Sequence, residues 1–306
     1  MRASNEFDII NRLAKRLKPR GGGVIRGIGD DCACVTIGDE LLLISNDDLR
    51  ENVHFKRDFP PRGIGYKLIA ANVSDILACG GAPKWFNVSI GFPPDLNESW
   101  LIELYDGMAL ALDEFNVALT GGNLSRCDRV QLGGAILGTT ARFVSRDGAK
   151  IGDDLWLSAP LGGSRLGLES LLKGENNETL ANKHLYPKLA LNFQPLIAAF
   201  ASGAIDISDG FLGDIGHLMR SSGVGFEIDD PKALISSETL AALGDFDKAL
   251  DFALNSGEEY KLLFTAPIDA RERFASVGAI LLGRATAGKT ARIGGKPFKP
   301  RGFSHF

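Results

Sequence analysis

Leu41-Leu42-Leu43-Ile44-Ser45-Asn46-Asp47-Asp48 is an apolar run that ends in polar and acidic residues. Leu41 to Ser45 reads as a buried strand, because a short continuous apolar run with polar ends is what a covered strand presents. The carboxylates that follow then stand at the rim of a packed element. The same signature recurs at Gly27-Ile28-Gly29-Asp30-Asp31, at Asn72-Val73-Ser74-Asp75 and at Asp206-Ile207-Ser208-Asp209-Gly210. Each acid alone has an ordinary explanation, since Asp and Asn favour helix N-caps and turns. Four such sites embedded in apolar stretches are hard to explain as turns. Converging carboxylates repel one another unless a cation neutralises them. Hard oxygen donors suit magnesium, which pairs a few carboxylates with phosphate oxygens. Together with a Gly-rich backbone this points to a nucleoside triphosphate and phosphoryl transfer. Gly21-Gly22-Gly23 lacks the context of a dinucleotide turn.

Outward from that run, the chain mixes strands and helices. Tyr66 to Cys79 has helical spacing and ends at Gly80-Gly81 and Pro83. Trp85 to Phe92 alternates like a strand, and Trp100 to Phe115 reads as an amphipathic helix. Val117 to Thr120 reads as a short strand stopped by Gly121-Gly122, and Val130 to Thr140 as a Gly-rich strand. After a polar stretch, Phe143 to Gly152, a new strand is expected at Leu155 to Ser158. Helices follow near Arg165–Leu172, Leu189–Ala201 and Gly213–Ser222, and the basic tail from Arg292 is expected to lie over the surface.

The 306 residues carry 34 Lys+Arg against 38 Asp+Glu, a net charge of −4, with 44% hydrophobic and 24% charged residues. That composition excludes disorder, collagen-like repeats and a coiled coil, and the length suits about two domains. Mild acidity argues against nucleic acid as a partner. No apolar run approaches the roughly 18–20 residues of a membrane span, and the first residues do not read as a signal peptide, so no membrane association and a cytoplasmic location are expected. Cys32, Cys34, Cys79 and Cys127 read as small buried thiols, since no second pair or His cluster has zinc-like spacing.

Eight segments in order carry a family resemblance: GIGDD (27–31), SNDDLRENVHF (45–55), NVSD with Gly80-Gly81 (72–81), GGN (121–123), RDGA (146–149), DISDG (206–210), SGEEY (256–260) and GFSHF (302–306). With them the chain resembles the thiamine-monophosphate kinase family, in the superfamily of aminoimidazole ribonucleotide and selenophosphate synthetases. The resemblance implies an α+β fold of two domains. Residues 1–143 would bind ATP and magnesium and pair across a homodimer into a barrel; residues 144–306 would close the cleft. It implies transfer of the γ-phosphoryl group of ATP to thiamine monophosphate, the last step of thiamine diphosphate biosynthesis, with several Mg2+ ions, ATP as co-substrate and K+ as a further candidate. The attacking phosphate oxygen is already ionised at neutral pH, so positioning and charge neutralisation are the catalytic tasks and no residue is assigned as a general base.

Carried over by position, Asp30, Ser45, Asn46, Asp47, Asp75, Asn123, Asp206 and Asp209 are implied metal ligands, Asn46 through at most its carbonyl. Gly122, Asn123, Arg146 and Ser208 are implied nucleotide contacts, and His54, Glu258 and Phe303 implied substrate contacts. Several positions depart from the family pattern: Asn at 46 and 123, Ser256 and Glu259 in the SGEEY loop, Lys183 in Lys183-His184-Leu185-Tyr186-Pro187, and Phe at 303. Asp31 stays open between ligand and turn residue, and Arg165 between phosphate contact and surface. Asp48 and Asp214 read as solvated or capping, His184, His217 and His305 as structural, and Trp85 and Trp156 as core. Two other readings stand beside the kinase: an ATP-binding sensor with weak catalysis, and a kinase or synthetase with another acceptor. Against the synthetase relatives, no Cys adjoins Gly21–Gly23 and the sequence ends in His305-Phe306.

Overall fold

The computed structural model describes residues 6–16 and 22–303. The expectations for Gly21, His305 and the end of the GFSHF segment lie outside them. After α1 (Glu6–Ala14) come β1 (Val24–Arg26), β2 (Ala33–Ile37), β3 (Glu40–Arg50), α2 (Pro61–Ala78), β4 (Ala82–Phe92), α3 (Glu98–Phe115), β5 (Ala118–Arg126) and β6 (Gln131–Thr140). The six strands form one sheet in the order β1-β2-β3-β6-β4-β5. All neighbours are antiparallel except β4 and β5.

A second sheet begins with β7 (Asp154–Leu157). Helices α4 (Gly163–Leu172), α5 (Glu178–Leu185) and α6 (Gln194–Phe200) lead to β8 (Gly203–Asp206), α7 (Phe211–Ser222) and β9 (Gly225–Ile228). Helices α8 (Ser237–Leu243) and α9 (Phe246–Leu254) precede β10 (Leu262–Ala266), α10 (Arg271–Ser276), β11 (Ile280–Thr286), β12 (Ala291–Ile293) and β13 (Lys296–Phe298). Its order is β13-β12-β9-β11-β7-β10-β8. The architecture is therefore mixed α+β.

Helix α2 is central because its sequence is apolar all round, as a helix covered on every side must be. It packs on β3 and β6 of the first sheet and on β8 and β10 of the second. One core runs through it, from Leu43 and Phe86 to Trp156, Phe264 and Phe274. Against α3 the approach is close: a Cβ on Gly65 would strike the carbonyl oxygen of Leu104, and one on Gly107 that of Arg62. The opposite face of the first sheet is uncovered in the chain, with Ile44 and Trp85 exposed, and edge strand β5 leaves Leu119 and Leu124 exposed as well.

Four expectations change. Strand β5 does not stop at Gly121-Gly122 but runs through them to Arg126, since pairing with β4 continues past an irregularity at Thr120, with Gly121 at positive φ beside it. Trp85, expected in the core, is 42% exposed on the open face. The helix expected over 189–201 begins as a 3-10 turn, Leu191–Phe193, before α6, where Pro195 fits the first helical turn. The tail is not only a surface strip: Gly294 and Gly295, both at positive φ, turn β12 into β13, which extend the second sheet. Lys299 to Phe303 then crosses α7, with Pro300 against Gly216 and Gly302 against Gly213.

Candidate active site

The acids come from ends of elements that α2 brings together. Asp30 and Asp31 lie in the loop between β1 and β2, Ser45 and Asp47 on β3, Asp75 in the last turn of α2, and Asp206 at the end of β8. Strand alternation turns Ser45 and Asp47 towards α2. The Ser45 hydroxyl lies 2.5 Å from Asp75 Oδ2 and 3.0 Å from the carbonyl oxygen of Asp31. The amide of Asp47 donates to Asn72 Oδ1 over 3.0 Å, and Asn72 is anchored by donating to Leu68 O at 2.9 Å. Next to Asp75, Ser74 donates to Asp206 Oδ2 over 2.7 Å, which joins the second sheet to the site.

Carboxylate oxygens of Asp31, Asp75 and Asp206 all lie within 4.8 Å of one another. Burial raises Asp30, and it pushes Asp31 and Asp47 up to about 6, helped by neighbouring acids. Burial and the surrounding carboxylates hold Asp75 and Asp206 well above the ordinary range. Arg146 is the nearby cation: its guanidinium pairs with Asp31 and lies 3.5 Å from Asp30 Oδ1, and its backbone N–H also faces Asp30. Burial would lower Arg146, but Asp31 and Asp30 outweigh it and keep the side chain charged. Arg26 supplies a second cation, 3.1 Å from Asp30 Oδ2 and paired with Asp147.

This donor set fits magnesium. It is all oxygen, comes from three directions, and leaves Asp31 Oδ2 buried without a hydrogen-bond partner. Asp31, which the sequence left open, is thus part of the cluster. Asp214, read as solvated or capping, is instead 2% exposed in the first turn of α7, its Oδ2 also unpartnered and its carboxyl raised by burial and by Asp209 and Asp206. Asp48 pairs with Arg50 at 2.6 Å.

Beside the acids opens a cleft of about 680 Å³. Asp47, His54, Ser208, Asp209, Glu258 and Phe303 line it together. His54 Nδ1 accepts from the Arg50 amide at 3.0 Å, which orients the ring. The Phe303 amide donates to Asp209 O at 3.3 Å and the ring is 57% exposed at the rim. Arg165 also lines the cleft, stacked 4.1 Å over Phe252 and 3.3 Å from Glu169.

Three sequence-derived positions do not join within one chain. The Asn46 side chain projects to the other face of β3, where it donates to Gly134 O, so only its backbone faces the acids' side. Gly122 and Asn123 sit on exposed β5, separated from β3 by β6 and β4. At about 4.8 Å per strand that is some 14 Å.

A curated thiamine-monophosphate kinase from Aquifex aeolicus is 37% identical over 307 residues, covering 98% of each chain. The chain belongs to the thiamine-monophosphate kinase family. The Salmonella typhimurium member is 34% identical, covering 87% of this chain and 83% of its own. The solved structure of AaThiL complexed with AMPPCP and TMP is similar at a TM-score of 0.91 and 36% identity, covering 99% of this chain and 97% of that one. Residues 29–140 match the model of the AIR synthase related protein, N-terminal domain.

In this thiamine-monophosphate kinase family member, sequence reasoning assigned no role to Asn72 and Ser74, though it singled out their segment, or to Arg26; all three hold the acids in place. It also passed over Lys67, 2% exposed and the one charge in the apolar stretch 63–71 of that helix. That isolation was the available signal. Cys32, Cys34 and Cys79 are buried as expected and Cys127 partly so, all as free thiols.

Proposed function

We propose that this chain transfers the γ-phosphoryl group of ATP to thiamine monophosphate, giving ADP and thiamine diphosphate. The observation that carries this is the junction of two features: the cluster of Asp31, Asp75 and Asp206, and beside it a cleft that Asp47 lines together with His54, Glu258 and Phe303. Membership of the family, and the similar structure complexed with AMPPCP and TMP, support the same reading.

Asp30, Asp47, Asp75, Asp206 and Asp209, with Ser45, would hold the magnesium ions, and Asp31 joins them. Bound magnesium would neutralise phosphate charge and stabilise what develops on the transferred group. The chain's own task is placement. Glu258, His54 and Phe303 would hold the thiamine end, Phe303 by stacking on a ring. Arg146 and Ser208 would contact nucleotide phosphates, Arg146 retaining its charge at every pH the enzyme meets. No base is required, because the nucleophilic phosphate oxygen carries its own negative charge.

The chain would act as a homodimer of two-domain protomers, divided near 143/144 where one sheet gives way to the other. Ile44 and Trp85 flank Leu137 on the open face of the first sheet, an apolar strip for a second copy. Pairing there would let β5 of one copy approach β3 of the other, the route by which Gly122 and Asn123 would reach a nucleotide. No helix among the described residues is long and apolar enough to cross a membrane; a cytoplasmic setting is proposed.

The test is a coupled ADP-release assay with Mg2+ and ATP, with and without K+, offering thiamine monophosphate, thiamine or no acceptor, and detecting thiamine diphosphate directly. Product with the monophosphate alone is expected. ATP binding without product would favour a sensor or another acceptor.

A further inference from the structure

Glu258 is held from behind by a buried ammonium. Lys67 Nζ lies 2.5 Å from Glu258 Oε1 and 2.8 Å from His184 Nε2. His184 Nδ1 stands 3.0 Å from Ser164 Oγ. Lys67 belongs to α2, His184 to α5, Ser164 to α4 and Glu258 to the loop before β10, so four segments converge on one charge.

The protonation pattern follows from the contacts. Burial, then Lys67, hold His184 down at about 3, so the ring is neutral at pH 7. Its Nε2 therefore accepts from the Lys67 ammonium, and Nδ1–H donates to Ser164. Burial would raise Glu258, but Lys67 outweighs it and keeps the carboxylate ionised. Glu258 also has a left-handed backbone, φ 54, pinned by its amide donating to Ser208 O at 2.7 Å. A non-glycine residue in that region costs free energy and persists only where its surroundings impose it.

A buried lysine is an expensive way to fill a core position. Desolvation opposes it, and an apolar side chain of similar volume would serve packing as well or better. What an apolar residue cannot do is fix a carboxylate. Oε1 is buried against Lys67, whereas Oε2, 3.7 Å from His184 Nε2, is the oxygen the ammonium does not hold, on a residue that lines the cleft.

We propose that Lys67 is a positioning residue for the acceptor substrate: it acts through Glu258, locking that carboxylate so that Oε2 receives an N–H or cationic group of the bound molecule. His184 and Ser164 set the direction of the ammonium. The inference rests on the kinase reading above, in which Glu258 contacts the acceptor.

Steady-state kinetics on the full chain test it, with Lys67→Met, Glu258→Gln and the double variant. Wild-type turnover of thiamine monophosphate is measured first; its absence would sink the kinase reading itself and leave folding and ATP affinity of the variants unaffected. Lys67→Met is expected to raise KM for thiamine monophosphate about tenfold or more, the scale of a lost charge-assisted contact. KM for ATP should stay within about twofold, as should affinity for a non-hydrolysable ATP analogue. The double variant should be no worse than Glu258→Gln alone, because both changes remove one interaction. Equal changes in both KM values, an unchanged KM for the acceptor, or additive losses in the double variant would each overturn the proposal. Should Lys67→Met not fold, Lys67→Gln keeps a donor at the same depth and is read against Glu258→Gln in the same way.

Discussion

The Ser45 hydroxyl and the Asp75 carboxylate stand 2.5 Å apart, one on a strand of the first sheet and one in the last turn of the central helix. That contact sets the orientation of a carboxylate whose charge is strongly disfavoured without a cation. Asp75→Asn keeps shape and hydrogen bonding while removing the charge. Turnover should fall by at least about a hundredfold, the upper range for disturbing even the supporting shell of a metal site. The metal-free protein should melt no lower than wild type, since a buried charge has gone. Near-normal turnover would remove Asp75 from the metal site.

Asp31 and Asp47 titrate near 6, above the ordinary carboxylate value of about 3.9. A raised folded-state value means that the folded protein binds protons more tightly than the unfolded chain. Their contribution to stability is therefore greatest at low pH and is lost as pH rises from about 4 through 6. Magnesium competes with those protons. Thermal melts should show little stabilisation by Mg2+ at pH 5 and clear stabilisation at pH 8. A shift that is equal at both values would mean that these carboxylates do not hold the ion.

Asn46 projects away from the acids and donates to Gly134 O. Asn46→Ala should accordingly leave the Mg2+ concentration for half-maximal activity within about twofold. A large rise would bring the side chain into the metal site and contradict the geometry.

Asn123 and Asp75 do not meet within one chain. Asp75→Asn and Asn123→Ala, each expected to lower activity alone, should complement when co-expressed if each copy supplies β5 to the other's site. The mixed dimer regains one intact site, and activity above that of either variant is the expected reading. No gain on mixing, with subunit exchange verified, argues for a site complete within one protomer.

Gly107 faces Arg62 O with no room for a Cβ, at the contact of α2 and α3. Gly107→Ala should destabilise by about 1–3 kcal/mol, the usual cost of overpacking. Denaturant melts would read this directly, and an unchanged midpoint would mean that the helices part freely. Because α2 carries Asp75, Lys67 and Ser74, such slack should also appear in KM for both substrates.

What could be read beforehand was what depends on local pattern. The apolar run before Ser45 marks β3, and the spacing from Tyr66 marks α2. Acids at the ends of apolar segments mark the cluster, because few other arrangements place carboxylates at packed rims. Trp85 reads as core because pattern reports which residues are apolar and does not report which face of a sheet another element covers. Gly121-Gly122 reads as a stop because local propensity cannot see β4 supplying hydrogen bonds to both sides of the irregularity. Asp31 and Asp214 become informative only with their burial, a property of neighbours far away in sequence. Arg26 pairs with Asp147 across 121 residues, which no short window reveals.

Ser74 and Asp75 are adjacent on the final turn of α2, yet they answer to different sheets: Ser74 to Asp206 of the second, Asp75 to Ser45 of the first. Mechanically this makes the turn a common anchor. The two sheets cannot slide or separate at the acid cluster without breaking one of these bonds. The core that runs through the same helix from one sheet to the other backs that anchor, so the carboxylates are held in register from both sides. Damage to this single turn would therefore reach both halves of the charge-handling geometry at once.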